Sequence, residues 1–128
     1  MDTDSLRPDG LDRITEGVIG CAYRVSNTLG AGFLEKVYEN ALALELRKAG
    51  MQVVQQVPVK VRYDGVIVGD YVADLLVEQG VIVELKAVKK LEAVHMAQCL
   101  NYLKATGYKV CLLLNFGTPR VEVKRLIL

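Results

Sequence analysis

Two apolar stretches with a short break between them constrain most strongly how this chain can fold. Residues 71–77 and 81–87 are rich in Val, Leu and Ile, with a glycine in the break, a pattern typical of paired β-strands. Asp74, Glu84 and Lys86 interrupt these apolar runs. A buried charge is costly unless it is paired or holds a metal ion, so these side chains need partners.

The loop between the two strands predicts which residues face each other. A three-residue hairpin loop with Gly80 in the left-handed conformation would pair Val77 with Val81. In that register Asp74, three residues before Val77, lies directly opposite Glu84, three residues after Val81. Glu84 and Lys86 share a face, because side chains alternate across a strand. The register therefore brings two carboxylates together.

The same register also separates polar from apolar side chains. It places Val72 opposite Lys86 on the charged face. The other face then carries only residues suited to a core, which are Tyr71, Ala73, Leu75, Val77, Val81, Val83, Leu85 and Ala87. A slip of one residue would mix polar and apolar side chains on both faces, which a half-buried sheet resists.

Length and composition indicate one folded domain. The chain has 128 residues, of which 52% are hydrophobic and 24% charged, so we expect a flexible lead-in over residues 1–10 and a single domain over 11–128. The three cysteines form no CxxC pair and are read as free thiols in a reducing cytoplasm. The sequence shows no membrane span and no signal peptide, which predicts a soluble cytoplasmic protein.

The formal net charge of +1 is small for a protein that binds nucleic acid without sequence preference. It leaves room for a local basic patch, and Lys86, Lys89 and Lys90 would lie beside the carboxylates.

Periodicity predicts an α/β domain. Helical periods cover residues 11–29, 34–48 and 91–106, and strand patterns cover residues 53–63, the two stretches above, 108–116 and 121–128. Glycines stop the first and third helices, and Asp64-Gly65 is a hairpin turn signal. The last helix is a crossover that returns a strand parallel to one of the first three, so the sheet is mixed.

An Asp in one strand and Glu-x-Lys in the next, within this order of elements, resembles the PD-(D/E)XK nuclease superfamily. Gly32, Glu35 and Tyr38 are similar to the signature of its GxxExxY family. Residues 95–103 and 114–117 are similar to that family's later segments, so the resemblance covers nearly the whole chain.

This resemblance implies a restriction-endonuclease-like αβββαβ core with a mixed central sheet flanked by helices. The first position of the superfamily's motif holds Ala73 where the name has Pro. Proline is no metal ligand, so this departure leaves the implied ligand set intact.

The resemblance also implies a metal site. Asp74 and Glu84 would hold Mg²⁺, with Mn²⁺ as a substitute, and the carbonyl of Leu85 would be a further ligand. Glu35 would complete the acidic cluster, and Lys86 would orient or activate the attacking water. Mg²⁺ prefers oxygen ligands and keeps several waters, so two or three carboxylates suit it.

Residues around the third helix supply further candidates. Gln98 matches a position that often lines the superfamily's catalytic site, and it shares a helical face with His95 and Tyr102. A lone histidine is more often structural, so His95 is a candidate substrate contact only. Lys89 and Lys90 are either solvated charges or phosphate contacts.

Simpler interpretations exist for several of these residues. The charged strand residues could form a structural ion cluster on a solvent-facing sheet surface. Glu35 could serve the dipole or cap of its helix. Gly32 could be present because the backbone at the start of the helix needs a conformation that glycine allows. Tyr38 could be a packing residue whose hydroxyl forms a hydrogen bond.

Two functions remain open from the sequence. The leading hypothesis is an Mg²⁺-dependent nuclease that hydrolyses phosphodiester bonds by metal-activated water, with nucleic acid as its partner. The alternative is a non-catalytic nuclease-fold module that binds nucleic acid or a protein. Strands 108–116 and 121–128 could also leave an apolar edge that a second copy covers.

Overall fold

The computed structural model describes residues 8–128, with side chains from residue 10 onward. Its elements are α1 (Pro8–Leu29), α2 (Glu35–Lys48), β1 (Val53–Tyr63), β2 (Val66–Val77), β3 (Val81–Lys86), α3 (Ala93–Thr106), β4 (Val110–Asn115) and β5 (Glu122–Ile127). This order confirms the predicted α/β fold. Most of the predicted lead-in, residues 1–7, lies outside the described residues, and α1 already begins at Pro8, a residue suited to the first helical position.

The five strands form one mixed sheet in the order β1-β2-β3-β4-β5. Neighbouring strands are antiparallel except β3 and β4, which are parallel and joined by the crossover helix α3, as predicted. β1 and β5 are the edges of the sheet. The strand predicted over residues 108–116 therefore lies inside the sheet, and only the strand after it lies at an edge.

Helices cover both faces of the sheet. Val81 and Val83 of β3 pack in a core with α1 and α2, whereas Ile82 packs in a second core with α3. Because both faces are covered, the central strands read as continuous apolar runs. The predicted free cysteines are buried here, Cys21 in the first core and Cys99 and Cys111 in the second.

Left-handed residues end the helices and form the turns that the sequence indicates. Gly30 follows α1 with φ 70°, and Gly107 caps α3 with φ 83°. Asp64 and Gly65, at φ 50° and 76°, form the predicted β1–β2 turn. No helix within residues 8–128 is long and apolar enough to cross a bilayer.

The β2–β3 turn has the predicted register but a different backbone. Val77 pairs with Val81, as predicted. The left-handed residues are Glu78 (φ 51°) and Gln79 (φ 54°), so the prediction of a left-handed Gly80 is wrong. Two consecutive left-handed residues match the twist of a tight antiparallel hairpin, so the reversal is complete before Gly80.

The prediction that one face of β2 carries all the core residues is also wrong. Leu75 packs toward α1 and α2, whereas Ala73 packs toward α3 and the Tyr71 ring contacts α3. The change of face occurs at Asp74, opposite Gln56, whose φ of 58° is left-handed. A left-handed residue interrupts the pleat, so side chains on either side of it no longer alternate regularly.

The segment after β4 fixes the loop that follows β3. The amide of buried Asn115 donates to the carbonyl of Val88 (2.9 Å) and accepts from the N–H of Val88 (3.0 Å). The N–H of Phe116 donates to the carbonyl of Lys86 (2.8 Å). Gly117 lies so close to Val88 that an added Cβ would overlap the Val88 backbone. These contacts fix the backbone around Lys86.

This close approach predicts that Gly117→Ala destabilises the protein. The added methyl group must displace backbone and not a flexible side chain, so we expect a loss of about 1–3 kcal/mol in the free energy of unfolding. Gly20→Ala is the matched control, because Gly20 is an exposed helical residue with open space around it. We expect that change to be neutral or stabilising by up to about 1 kcal/mol. Urea denaturation measures both, and equal stability of the two variants would contradict the prediction.

Candidate active site

The candidate site forms where β2 and β3 separate. Their backbone pairing ends at Leu75 and Val83. Beyond that point, the N–H of Asp74 donates to Glu84 Oε1 (2.7 Å), and the N–H of Leu85 donates to Asp74 Oδ2 (2.9 Å). Two carboxylates thus replace the next hydrogen bonds of the ladder, and the predicted approach of Asp74 and Glu84 is confirmed.

The separation of the strands also changes the position of Lys86. The pairing that the sequence predicts between Val72 and Lys86 does not form within the described chain, because the β2–β3 ladder has already ended. Lys86 pairs instead with Asn115 of the parallel neighbour β4. The last residue of β3 is therefore held from the β4 side.

Glu84 lies in an environment that disfavours its charge. The residue is only 4% exposed. Burial, with a further contribution from the charge of Asp74, raises the pKa of Glu84 to about 8. The hydrogen bond from the Asp74 N–H opposes this shift. Glu84 can therefore carry a proton at neutral pH when no cation lies beside it.

Asp74 is half-buried, and its environment also disfavours a negative charge. Burial is the largest effect and raises the pKa of its carboxyl, and the charge of Glu39 adds to the increase. The N–H of Leu85 and the charge of Lys86 act in the opposite direction. A positive charge placed between Asp74 and Glu84 would relieve both carboxylates.

Lys86 is the cation of this cluster. Its charge lowers the pKa of each of Glu35, Asp74 and Glu84, against the larger effect of burial. The side chain is half-buried, and among the described residues its ammonium group has no hydrogen-bond or ion-pair partner. An unpaired ammonium group beside two carboxylates is available to a phosphate or to water.

Glu35 is drawn into the same cluster by α2. It is the first residue of the helix, and no side-chain bond caps that end. Desolvation, followed by the charge of Asp74, raises the pKa of Glu35. The carboxyl of Glu35 is therefore electrostatically coupled to Asp74 and Lys86, beyond any interaction with the helix dipole.

The structure adds an acidic residue that the sequence analysis missed. Glu39 is buried and accepts hydrogen bonds from Gln55 Nε2 (2.7 Å) and Gln56 Nε2 (2.8 Å), besides an ion pair with Lys36 (3.1 Å). Its spacing of four residues from Glu35 places both on one helical face, which was the available signal. With its oxygens already bonded, Glu39 shapes the field around Asp74.

The donor set fits a hard divalent cation. The two strand carboxylates use one oxygen each, Asp74 Oδ2 and Glu84 Oε1, for backbone hydrogen bonds, which leaves the other oxygens for a cation. Within residues 8–128, no three His, Cys, Asp or Glu side chains are arranged to hold a metal ion. Mg²⁺ is commonly bound through one or two carboxylates with waters at its remaining positions, so this pair is sufficient.

Helix α3 brings Tyr102 and Gln98 toward the carboxylates. Gln98 Nε2 donates to the hydroxyl of Tyr102 (3.1 Å). Burial, with the charges of Glu84 and Asp74 adding to it, raises the pKa of Tyr102 to about 12. Tyr102 is therefore a neutral hydroxyl near the site, and Gln98 contacts it directly.

The predicted substrate contacts, Lys89, Lys90 and His95, lie in the loop before α3 and in its first turn. Nδ1 of His95 accepts the N–H of Glu92 (2.9 Å), and the two residues form the capping box of α3. The structural interpretation of this lone histidine is therefore confirmed. Lys89 and Lys90 are exposed in the loop after β3. The structure does not place any of the three in the charge network around Asp74 and Glu84.

Comparison with known proteins agrees with this geometry. The sequence matches the profile of the PD-(D/E)XK nuclease superfamily over residues 12–126. The chain belongs to the PD-(D/E)XK nuclease superfamily. Its members generally use divalent metal ions. No curated protein sequence matches the chain.

Two solved structures are similar to this chain. One is an alkaline exonuclease, LHK-Exo, from Laribacter hongkongensis, at 13% identity and a TM-score of 0.49, covering 83% of this chain and 75% of the exonuclease. The other is LHK-Exo in complex with dAMP, at 12% identity and a TM-score of 0.50, covering 88% of this chain and 82% of that one. At such low identity, the second likeness concerns the fold alone.

Within the PD-(D/E)XK superfamily this chain carries Ala73 at the proline position of the motif. Ala73 is 1% exposed and pairs with Val57 of β1. Its side chain packs in the core that α3 covers.

The raised pKa of Glu84 predicts how stability depends on pH without divalent metal. In the folded state the carboxyl keeps its proton up to about pH 8, whereas the ordinary pKa is 4.5. Between these values the folded state binds more protons than the unfolded state, so stability falls as pH rises. We expect the melting temperature in EDTA to decrease from pH 5 to pH 8, and Glu84→Gln to reduce that decrease.

Glu45→Gln is the matched control for this measurement. Glu45 forms ion pairs with Arg24 and Lys48, and its pKa is lowered by them. Removing the charge of Glu45 should leave the decrease in melting temperature between pH 5 and pH 8 in place. If Glu84→Gln and Glu45→Gln gave the same pH dependence as the unchanged protein, the proposed state of Glu84 would be wrong.

Proposed function

We propose that this protein is an Mg²⁺-dependent nuclease that hydrolyses phosphodiester bonds in nucleic acid, with Mn²⁺ able to replace Mg²⁺. The observation that carries the proposal is the pair of carboxylates, Asp74 and Glu84, held across separated strands beside the unpaired ammonium group of Lys86. This arrangement combines acidic ligands with a neighbouring cation at one point of a nuclease fold.

Each ligand in the proposed metal site has a distinct source. Asp74 and Glu84 would hold the cation through the oxygens that are not used by their backbone hydrogen bonds, and the carbonyl of Leu85 would be a further ligand. Glu35 would complete the acidic cluster from α2 by its charge, which its coupling to Asp74 supports, without being needed as a third carboxylate ligand. When bound, Mg²⁺ supplies positive charge that lowers the pKa of water and stabilises charge on the phosphate.

The remaining residues position the reactants. Lys86 orients the attacking water and donates hydrogen bonds to the phosphate oxygens. Gln98 lines the site through its contact with Tyr102. Lys89 and Lys90 can contact phosphates of the substrate from the exposed loop after β3. His95 retains only Nε2 for a substrate contact, since Nδ1 is used by the helix cap.

We further propose that the chain is a member of the GxxExxY family within the superfamily. Gly32 has a φ of 114°, a conformation that favours glycine, just before α2. Buried Tyr38 donates to the carbonyl of Gly30 (2.5 Å), accepts from the N–H of Phe33 (3.1 Å) and stacks on Phe116. These contacts fix the start of α2 and with it Glu35, which gives each signature residue a role.

The proposed setting follows from the same features. We propose that residues 11–128 act as a single domain in the cytoplasm, where a reducing environment keeps the buried thiols of Cys21, Cys99 and Cys111 free.

One observation favours a second function. The hydrogen bonds that Asp74 and Glu84 accept also close the gap between β2 and β3, so both carboxylates have a structural role. A non-catalytic module that binds nucleic acid or a protein could keep them for that reason alone. Such a module would not depend on the charge of Lys86.

Cleavage of a mixed panel of single- and double-stranded DNA and RNA, with Mg²⁺ or Mn²⁺, tests the proposal. We expect metal-dependent cleavage that Asp74→Asn and Lys86→Ala each reduce by at least about 100-fold, since each removes a group that acts on the transition state. Glu45→Gln and Lys48→Ala, on the exposed surface of α2, are controls that should leave cleavage unchanged. Cleavage that persists in Asp74→Asn and Lys86→Ala would favour the scaffold, as would its absence in the unchanged protein.

A further inference from the structure

A second surface lies next to the candidate site and shares only Gln98 and Tyr102 with it. The hairpin of β1 and β2 extends as a two-stranded ribbon beyond its pairing with β3, which involves only the last residues of β2. Between this ribbon and α3 runs an open groove of about 870 Å³. Its lining comes from residues 60–71 on the ribbon and residues 94–105 on α3.

The groove concentrates positive charge in a protein that is nearly neutral overall. Lys60, Arg62 and Lys104 line it, and no acidic residue among those that the structure describes does. Lys60 is paired across the ribbon with Asp70, whereas Arg62 and Lys104 are exposed and have no carboxylate partner among the described residues. The groove therefore offers two free cations and one partly neutralised cation to an anionic ligand.

Besides its cations, the groove is lined by apolar, aromatic and amide side chains. Val61, Val68 and Val94 contribute apolar surface, and the ring of Tyr71 is 51% exposed. Gln98 and Asn101 contribute amide groups that can both donate and accept hydrogen bonds. Cations beside an exposed aromatic ring and amides match a nucleic-acid strand whose bases are free to stack and to form hydrogen bonds.

The length of the groove also matches one strand. The lining residues of α3 run from Val94 to Ala105, a distance of about 16 Å at a rise of about 1.5 Å per residue. A strand within a duplex advances about 3.4 Å per nucleotide and an unstacked single strand advances further, so at most about four nucleotides fit along this length. In a duplex the bases are stacked and paired inside, so the aromatic and amide groups of the groove would have no base faces to contact.

Tyr102 connects the groove to the carboxylates. It lines the groove, packs its ring at 6.0 Å from that of Tyr71, and lies within the electrostatic influence of Glu84 and Asp74. A strand bound beside Tyr71 and Tyr102 would therefore lie next to the proposed metal site.

We propose that this groove binds a single strand of nucleic acid, with its phosphates against the three cations and a base stacked on Tyr71. DNA and RNA share this chemistry. A single strand would then be the substrate class of the proposed nuclease, and this role of the groove rests on that proposed function. Binding itself requires neither divalent metal nor cleavage.

Fluorescence anisotropy in EDTA tests the groove separately from catalysis. The probes are labelled single strands of about 15 nucleotides, one of DNA and one of RNA, within the roughly 4–16 nucleotides that single-strand binding folds cover. Unlabelled duplex of the same length is the competitor. We expect the single strand to bind at least about fivefold more tightly than the duplex, the equivalent of one base–aromatic stack.

Substitutions in the groove then locate the binding. Arg62→Gln and Lys104→Gln should each weaken binding and reduce the slope of log K against log salt by about 0.7. Arg120→Gln and Lys124→Gln, exposed cations near the opposite edge of the sheet, are matched controls that should change neither quantity. Tyr71→Leu should weaken binding by about 5- to 150-fold while Tyr71→Phe retains it. The phenylalanine variant separates stacking from a general loss of packing.

The outcomes are distinguishable from those of the nuclease proposal. Duplex that competes as well as single strand, groove variants that behave like the controls, or no binding at all would each overturn the groove proposal. Groove-dependent binding of a single strand without cleavage under any metal condition would support the groove and contradict the nuclease. If the protein cleaved duplex, and if Arg62→Gln and Lys104→Gln left that cleavage unchanged, the result would support the nuclease and contradict the groove.

Discussion

The hydrogen bonds that join Asp74 to Glu84 and to Leu85 across the separated strands are the interaction on which the rest of the site depends. Each carboxylate accepts a backbone N–H from the other strand, at 2.7 and 2.9 Å, where a regular sheet would pair backbone with backbone. The strands can separate there without leaving these N–H groups unpaired, which would be costly in a buried setting. The energetic cost is instead electrostatic, because two acidic groups lie close together where water solvates them poorly. A cation at that point would balance the charge, and the proposed function follows from this physical requirement.

The surrounding fold holds this opening in place from several directions. Asn115 and Phe116 hold the backbone of Val88 and Lys86, so the end of β3 follows β4 after it has left β2. On the other side, the left-handed Gln56 bends β1 opposite Asp74 and donates to Glu39. Beyond this irregularity, the outer part of the β1–β2 ribbon and α3 line the basic groove.

Local patterns were sufficient to predict much of this arrangement. The order of elements, the parallel return of β4 and the approach of Asp74 to Glu84 follow from periodicity, glycine positions and the two-residue repeat of strands. These features depend on short-range rules of periodicity and loop length. The register was predicted correctly from a one-sided core, although both faces of β2 and β3 are buried. The packing role of Tyr38 was predictable for the same reason, since a buried hydroxyl must find a partner.

The parts that were missed depend on tertiary context. Gln56 and Gln79 adopt left-handed conformations that their residue type does not indicate, so neither the change of face in β2 nor the type of turn could be read from the sequence. The groove joins cations from β1 and α3 that lie far apart in the chain, and only the tertiary packing of α3 against the β1–β2 ribbon brings them together. His95 could be read in two ways until Glu92 was seen to share the helix cap. Side chains that act through distant neighbours leave no local pattern.

The central claim is that Asp74 and Glu84 form a cation site, and titration calorimetry with Mn²⁺ tests it most directly. The account predicts that the unchanged protein binds Mn²⁺, and that Asp74→Asn or Glu84→Gln abolishes this binding while both variants remain folded. Lys86→Gln should retain the site and bind the ion at least as tightly, because it removes a neighbouring positive charge. Binding that persists unchanged in Glu84→Gln, or an unchanged protein that binds no Mn²⁺, would contradict the account.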